Sequence, residues 1–316
     1  MNMKHKRISF LIAAHNEERI IGKTLKNLLE LPYDNYEVVL GLDGCTDRTE
    51  DIVKEFCKKS KKFRYYKLNL RQGKTAVINK IIKNARGEII IINDADWIFI
   101  ARNKESLEEF ISVFNDAKVG SIAESFPVEW QEDKIRKGNL GYKMVAYSSY
   151  FWLEFQKNNF TYGKAGEKNK GMLYLKEPTM FLTNIFRKKL YKDSFSLGDD
   201  FERTKDIMDA GYKIVIFNDI SMPRMKCIYD KISVRDLFRQ KKRTATARRQ
   251  IKDEQKVNTG NYYLSALQYM IKESWKKGAG IGMIVLLWIF LTLIATFFSS
   301  FRKLDTRKGW ALRARK

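Results

Sequence analysis

The chain predicts an α/β fold: a mainly parallel sheet flanked by helices, with one apolar helix near the C-terminus. Three observations carry this. Residues 7 to 97 alternate short β-branched runs with segments of helical period, the order that builds parallel strands joined by right-handed crossovers. One run, Ile89-Ile-Ile-Ile92, is apolar on both faces and stops at Asn93-Asp-Ala-Asp96, as a strand in the middle of such a sheet does. Gly278 to Phe301 is 24 residues without a charge. As a helix this is ~36 Å long, enough to cross a hydrocarbon core of ~30 Å.

Taken in order, Arg7–Ala14 reads as the first strand. Asn16 is positioned to cap a helix from Glu17 to Glu30, whose apolar face is Ile20, Ile21, Leu25, Leu28 and Leu29; Pro32 ends it. Tyr36–Leu42 is the second strand. Thr46 or Asp47 can cap a helix to Ser60 that buries Ile52, Val53 and Phe56. Phe63–Leu68 is a third strand, Thr75–Ala85 a helix closed by Gly87, and Ile89–Asn93 a fourth strand. Residues 98 to 137 carry little pattern beyond a helix at Ser106–Phe114. Leu140 to Tyr162 holds eight aromatics, read as a core-packing helix or as a lipid-touching surface. Tyr162–Gly171 is rich in Gly and Lys, and Met172–Phe186 is strand and turn. Leu197-Gly-Asp-Asp200 opens a helix that Gly211 closes, before the strand Lys213–Phe217. Tyr262–Trp275 is an amphipathic helix leading into the apolar segment.

Charge and composition narrow the function. Net charge is +23, which calls for nucleic acid, anionic lipid or a phosphorylated substrate as partner. No nucleic-acid-binding module is recognisable. Lys231 to Lys256 carries ten basic and three acidic residues just ahead of the apolar segment, where Lys and Arg gain from anionic headgroups. Three cysteines without a Cys-x-x-Cys give neither a disulfide framework nor a zinc knuckle and fit a reducing compartment. Two histidines rule out a His-rich metal centre. Lys4 to Ala14 resembles a signal peptide, but the apolar run is short and lacks a small-residue cleavage pattern, so it reads as a buried strand.

Four features sit where strands hand over to helices, the place where open α/β sheets bind ligands. They are Ala13-Ala-His-Asn-Glu17, Gly41-Leu-Asp-Gly-Cys-Thr-Asp47, Gln72-Gly-Lys-Thr-Ala76 with Asn93-Asp-Ala-Asp96, and Gly198-Asp-Asp200. Asp43 can accept from a base ring N–H, or serve only in turn chemistry together with Asp47. Lys74 at a helix start can meet a diphosphate. Asp94 and Asp96, one residue apart, can share a hard cation such as Mg²⁺ or Mn²⁺ with phosphate oxygens; alone, an Asp-x-Asp is also a common acidic turn.

In combination these motifs resemble family-2 glycosyltransferases with the GT-A fold. His15-Asn16-Glu17 is similar to that family's Tyr-Asn-Glu. Leu42-Asp-Gly-Cys-Thr-Asp47 is similar to its Asp-Asp-Gly-Ser-Thr-Asp, and Gly73-Lys74 with Ala76-Val-Ile-Asn79 to its Gly-Lys…Ala-Leu-Asn. Asp94-Ala-Asp96 matches its metal motif and Asp199-Asp200 its Glu-Asp pair. The resemblance covers roughly residues 7 to 250. It implies nucleotide binding by Ala13, His15, Glu17, Asp43, Lys74, Asp94 and Arg243. It also implies Mn²⁺ or Mg²⁺ on Asp94 and Asp96, and Asp200 as the general base. Two departures stand out. Leu42 replaces the first Asp of the pair. Gln240-Lys-Lys-Arg243-Thr244 resembles the Gln-x-x-Arg-Trp of polymer-making members, with Thr244 in place of Trp.

The expectation is a GT-A-like domain over 1–230, basic amphipathic interface helices over 231–277, a transmembrane helix over 278–301 and a basic tail over 302–316. The implied activity is metal-dependent, inverting transfer from a nucleotide-diphosphate sugar to a hydroxyl of a membrane-associated, lipid-linked acceptor. The alternatives are a polyprenyl-phosphate glycosyltransferase and a short-chain polysaccharide synthase. A sugar nucleotidyltransferase would want a Gly- and Arg-rich loop after the first strand, where His15-Asn-Glu-Glu is acidic. A nucleic-acid binder and a dead binding subunit are further rivals, the second opposed by the intact carboxylates. Placement at the cell membrane follows, single-pass, with residues 1 to about 277 cytoplasmic and the tail outside. That tail carries seven basic residues and one acidic, against the usual excess of Lys and Arg inside.

Overall fold

A computed structural model of the chain describes the backbone of residues 6–124, 132–163, 171–178, 182–194, 198–219, 221–228, 231–250 and 259–299. The basic tail 302–316 and most of the Gly/Lys-rich stretch lie outside the described residues. The chain divides into two compact units. The first is Met1–Glu129, Tyr162–Phe195 and Asp199–Ile228; the second is Trp130–Thr161, Ser196–Gly198 and Tyr229–Lys316.

The first unit is built on strands β1 (Ile8–Ala14), β2 (Tyr36–Asp43), β3 (Phe63–Leu68) and β4 (Ile89–Ile92). These pair in parallel in the order β3-β2-β1-β4. Helices α1 (Ile21–Leu29), α2 (Thr49–Lys59) and α3 (Lys74–Ile81) are the crossovers. All four isoleucines of β4 are buried. Residues 98 to 137, weakly patterned in sequence, contribute β5 (Trp97–Ile100), α4 (Lys104–Ser112) and β6 (Val119–Glu124). Next come β7 (Thr161–Tyr162), β8 (Met172–Leu175), β9 (Leu182–Arg187), α7 (Asp199–Asp209), β10 (Lys213–Phe217) and β11 (Arg224–Cys227). The main sheet runs β3-β2-β1-β4-β9-β6-β10-β8-β7. Strand β9 is antiparallel to both β4 and β6, while β10 returns to a parallel pairing with β6. β5 and β11 form a separate antiparallel ribbon.

One helix start and one helix end differ from the expectation. α1 begins at Ile21, because the Asn16 side chain exchanges hydrogen bonds with Thr46 instead of capping a helix. α3 is α-helical only to Ile81 and ends in a 3-10 turn at Ile82–Asn84.

The second unit is helical. It comprises α5 (Glu132–Lys137), α6 (Leu140–Phe160), α8 (Val234–Gln250), α9 (Thr259–Lys276) and α10 (Ala279–Ser299). Tyr142, Met144 and Phe151 of α6 share a core with Leu237, Met270, Val285 and Ile289, so the aromatic-rich helix packs with the C-terminal helices. Asn139 caps α6 by accepting from the Tyr142 N–H and donates to the Ile232 carbonyl. Among the described residues, α10 alone is long and apolar enough to cross a membrane by length and composition.

Candidate active site

The carboxyl ends of β1, β2 and β4 bring the first unit's motif residues together. Ala13 pairs with Gly41 in the β1–β2 register. Beyond it, the loop after β1 and the loop after β2 are laced to each other. The Glu17 N–H donates to Thr49 Oγ1 at 2.7 Å and the Glu18 N–H to Asp47 at 3.2 Å. The Arg48 N–H donates back to Glu18 at 3.1 Å. Asn16 takes a left-handed conformation, φ 55°, which its short polar side chain tolerates. His15 Nδ1 lies 2.6 Å from the Asp43 carbonyl oxygen. A carbonyl only accepts, so Nδ1 carries the proton and Nε2 is left as the acceptor when the ring is neutral.

Asp43 ends β2 and is buried. One carboxylate oxygen accepts from the Gln72 N–H at 2.6 Å and the other from the Gly73 N–H at 2.8 Å. The side chain expected to read a nucleotide base therefore also fastens the loop that delivers Lys74. Each oxygen keeps one further lone pair. Gly44 follows with φ +61°, and a Cβ there would lie 2.7 Å from the Arg71 nitrogen, so only glycine lets the two loops close this tightly.

Lys74 is the first residue of α3 and forms an ion pair and hydrogen bond with Asp94 Oδ1. Both side chains are largely buried, 20% and 24% exposed. Burial works against the ammonium, but Asp94, with Asp199 and Asp200 within electrostatic reach, outweighs it and holds the Lys74 pKa above the ordinary lysine range.

The Asp94–Trp97 turn is held at every carbonyl. The Asp94 oxygen accepts from Asn93 Nδ2 and the Trp97 N–H, and the Ala95 oxygen from Thr24 Oγ1 at 2.7 Å. The Asp96 oxygen accepts from the Ile228 N–H and the Trp97 oxygen from Asn93 Nδ2. Its main-chain oxygens are thus engaged, and the Asp94 carboxylate meets Lys74. Among the described residues no group of three or more His, Cys, Asp or Glu is placed to hold a metal. Asp94 and Asp96 supply at most two carboxylates, so a cation there would take its other oxygens from a phosphate and water, as Mg²⁺ and Mn²⁺ do. They do not fit a closed protein cage.

Asp199 and Asp200 open α7. Asp199 pairs with Arg203 at 2.7 Å, one turn on, and Arg203 also donates to the Thr183 carbonyl and to Asn184. Among the described residues, the Asp200 side chain accepts from the Phe201 N–H at 2.9 Å. Burial first, and then the neighbouring Asp199 charge, push its carboxyl from the usual 3.8 up to about 6, against the pull of Arg203, that N–H and Lys74. The segment before α7 is tied down by Asn79 of α3, which donates to the Ser194 carbonyl at 2.8 Å and accepts from Tyr191 Oη.

Thus Ala13, His15, Glu17, Asp43, Lys74, Asp94, Asp96 and Asp200 all belong to the first unit, at strand ends, loops or helix starts. Arg243 lies on α8 in the second unit, with Thr244 donating to the Gln240 carbonyl. Sequence reasoning missed Thr24, Thr183 and Arg203. Only Arg203 left a legible signal, its i,i+4 spacing from Asp199 on a helix.

Comparison with known proteins gives the family and the fold. A family model described as glycosyl transferase family 2 matches residues 9–187. The poly-beta-1,6-N-acetyl-D-glucosamine synthase of Staphylococcus epidermidis is 37% identical over 91 residues, 29% of this chain and 22% of that protein. The beta-monoglucosyldiacylglycerol synthase of Nostoc sp. is 34% identical over 119 residues, 36% of this chain and 25% of that protein. The chain therefore spans only about a quarter of the length of these relatives. Among solved structures, the mannosyltransferase PcManGT from Pyrobaculum calidifontis, in complex with GDP-Man and Mn²⁺, superposes with TM-score 0.55. The match has 16% identity and covers 96% of this chain and 78% of that one, a likeness of fold.

Proposed function

This chain belongs to glycosyl transferase family 2, and from that premise we propose that its first unit moves a sugar from a nucleotide-diphosphate donor to a hydroxyl of a membrane-associated acceptor. The observation that carries the reading is the charge arrangement at the sheet's carboxyl end. Lys74 is held by Asp94, and Asp200 nearby has a carboxyl raised to about 6. Such a group is ionised at neutral pH yet a stronger base than an ordinary aspartate, the compromise that general-base catalysis favours. A phosphate acceptor would need no base, so Asp200 favours a hydroxyl acceptor over a polyprenyl phosphate.

In the proposed reaction Asp200 takes the proton of the acceptor hydroxyl as its oxygen attacks the anomeric carbon. The bond from that carbon to the diphosphate breaks, the configuration inverts and the nucleoside diphosphate leaves. Lys74, electrostatically held at the start of α3, meets the charge on the departing diphosphate. His15, Glu17 and Asp43, with Ala13 on the adjoining strand, line the nucleotide side, and Arg243 is a further candidate for the diphosphate. A Mn²⁺ or Mg²⁺ ion on Asp94 and Asp96 would add charge neutralisation at the leaving group. With Thr244 in place of the family's Trp, the product is one sugar or very few per acceptor. The apolar α10 anchors the protein to the cytoplasmic face of the membrane, where nucleotide sugars are found.

The test is release of nucleoside diphosphate by the purified full chain in detergent, across UDP-, GDP- and dTDP-sugars. Release from one donor is expected, lost in EDTA and in an Asp96→Ala variant, and restored to the wild type by Mn²⁺ or Mg²⁺. Full activity in EDTA overturns the metal assignment, and no release from any donor overturns the transferase reading.

A further inference from the structure

The helix α10 is the most apolar element of the chain, and its length alone suits a bilayer crossing. Its surroundings do not. Gly282, Val285, Trp288, Ile289, Ala295 and Ser299 are buried, at helical spacing along one face. Met283, Leu287, Phe290, Leu293 and Phe297 form an opposite stripe, 41–63% exposed. From its start to its middle the buried face is covered by the unit's own helices. Near the start, Gly282 packs on the Trp275 indole of α9, where a Cβ would lie 2.7 Å from the ring. At the middle, the Lys241 ammonium of α8 sits 4.2 Å from the centre of the Trp288 ring. Near the end, Phe238 of α8 meets the half-exposed Phe298, at the edge of the apolar stripe, edge-on at 6.3 Å.

The covering helix is strongly charged. α8 carries Arg235, Asp236, Arg239, Lys241, Lys242 and Arg243 within its first ten residues. Trp288 lies about 15 Å from either end of α10 at the helical rise per residue. If α10 crossed the membrane, the cation on Trp288 would stand at the bilayer centre, with its charged neighbours dragged into the hydrocarbon. That is the costliest position for such groups. Lying flat removes the conflict: the apolar stripe faces the acyl chains, while α8 stays at headgroup level, where Lys and Arg gain from anionic lipid.

We propose that α10 lies in the plane of an anionic leaflet, its Met283–Leu287–Phe290–Leu293–Phe297 stripe sunk to the headgroup–acyl boundary, and does not span the bilayer. This rests on the membrane-anchored reading above but not on the transferase chemistry.

The experiment places single spin labels along α10 of the full-length protein, with Cys45, Cys57 and Cys227 replaced by Ser. Sites are 283, 287, 290, 293 and 297, in vesicles of phosphatidylcholine and phosphatidylglycerol. Depth is read from accessibility to oxygen and to a nickel chelate. An in-plane helix gives one shallow depth, roughly 5–10 Å below the phosphates, at all five sites. A depth that is greatest at 290 and falls towards 283 and 297 overturns the proposal, as does a stripe that contacts no lipid. A second readout needs no label in α10. A cysteine introduced at Ala314 should react with an impermeant thiol reagent only after cells are opened; reaction in intact cells puts the tail outside and requires a span. Neither measurement depends on turnover, so their failure is separate from failure of the transferase assay.

Discussion

The two ends of the central sheet bury carboxylates in opposite ways. At the amino end, Glu37 of β2 is 3% exposed. It accepts from Ser9 Oγ at 2.6 Å and from the Arg86 N–H, with the Arg64 guanidinium at 2.9 Å and Arg7 at 3.9 Å. Ser9 in turn accepts from the Gly87 N–H at 2.8 Å. At the carboxyl end, one lysine faces Asp94, Asp199 and Asp200, and burial leaves Asp200 with a raised pKa. A carboxylate saturated by donors that the fold supplies is a fastener. One buried beside a second carboxylate, with Arg203 and Lys74 only partly offsetting that burial, is ready to exchange a proton or meet a substrate cation.

The sharpest break of this contrast is a pair of substitutions. Asp200→Asn should lower turnover by roughly 10²–10⁴-fold, the range for a positioned general base, with donor affinity unchanged in titration calorimetry. Loss of donor binding with turnover of bound donor intact would reverse the assignment. Glu37→Ala should leave donor affinity intact but cost about 1–3 kcal/mol of stability in urea unfolding, because the buried Ser9 hydroxyl and the Arg86 N–H lose their acceptor. A smaller effect is expected at Gly87. A Cβ there would lie 2.6 Å from both the nitrogen and the hydroxyl of Ser9, so Gly87→Ala should cost about 1–3 kcal/mol without changing the pH profile.

The pH dependence sharpens the same comparison. The Asp200 pKa is raised in the folded state, from 3.8 to about 6, so the fold binds that proton more tightly than the unfolded chain does. Its contribution to stability is complete below 3.8 and is lost as pH rises through about 6. Relative to wild type, Asp200→Asn should therefore gain in melting temperature between pH 4 and pH 7. Activity of the wild type runs the other way, falling below about pH 6 as the base is protonated. A flat profile from pH 5 to 8 would remove Asp200 from the proton transfer.

Much of the first unit was legible in the chain. Strand Ile89–Ile92 and the strand Lys213–Phe217 occur with the expected bounds or nearly so, because a short, fully apolar run has few other places to go. Asp199–Asp200 at a helix start was equally plain. The ribbon of β5 and β11 was not, since Trp97–Ile100 pairs with Arg224–Cys227 from more than a hundred residues away, and no local period encodes a partner. The antiparallel entry of β9 between β4 and β6 escaped for the same reason. Asn16 shows the limit of local capping rules: a good capping residue was taken by Thr46 of another loop.

The sequence by itself determined the alternation of strands and helices, the placement of Asp43, Lys74, Asp94, Asp96 and Asp200 at their ends, and an apolar helix that must leave water. These follow from hydrophobic period and chain punctuation, which act over a few neighbouring residues. Only the tertiary structure decided that Asp43 fastens the Gln72–Gly73 loop, that Lys74 answers Asp94, that Asp200 is buried beside Asp199, and that α6 packs with α8, α9 and α10. Each of these depends on which distant groups share a buried volume, because the cost of burying a charge is set by its neighbours in space and not by its neighbours along the chain.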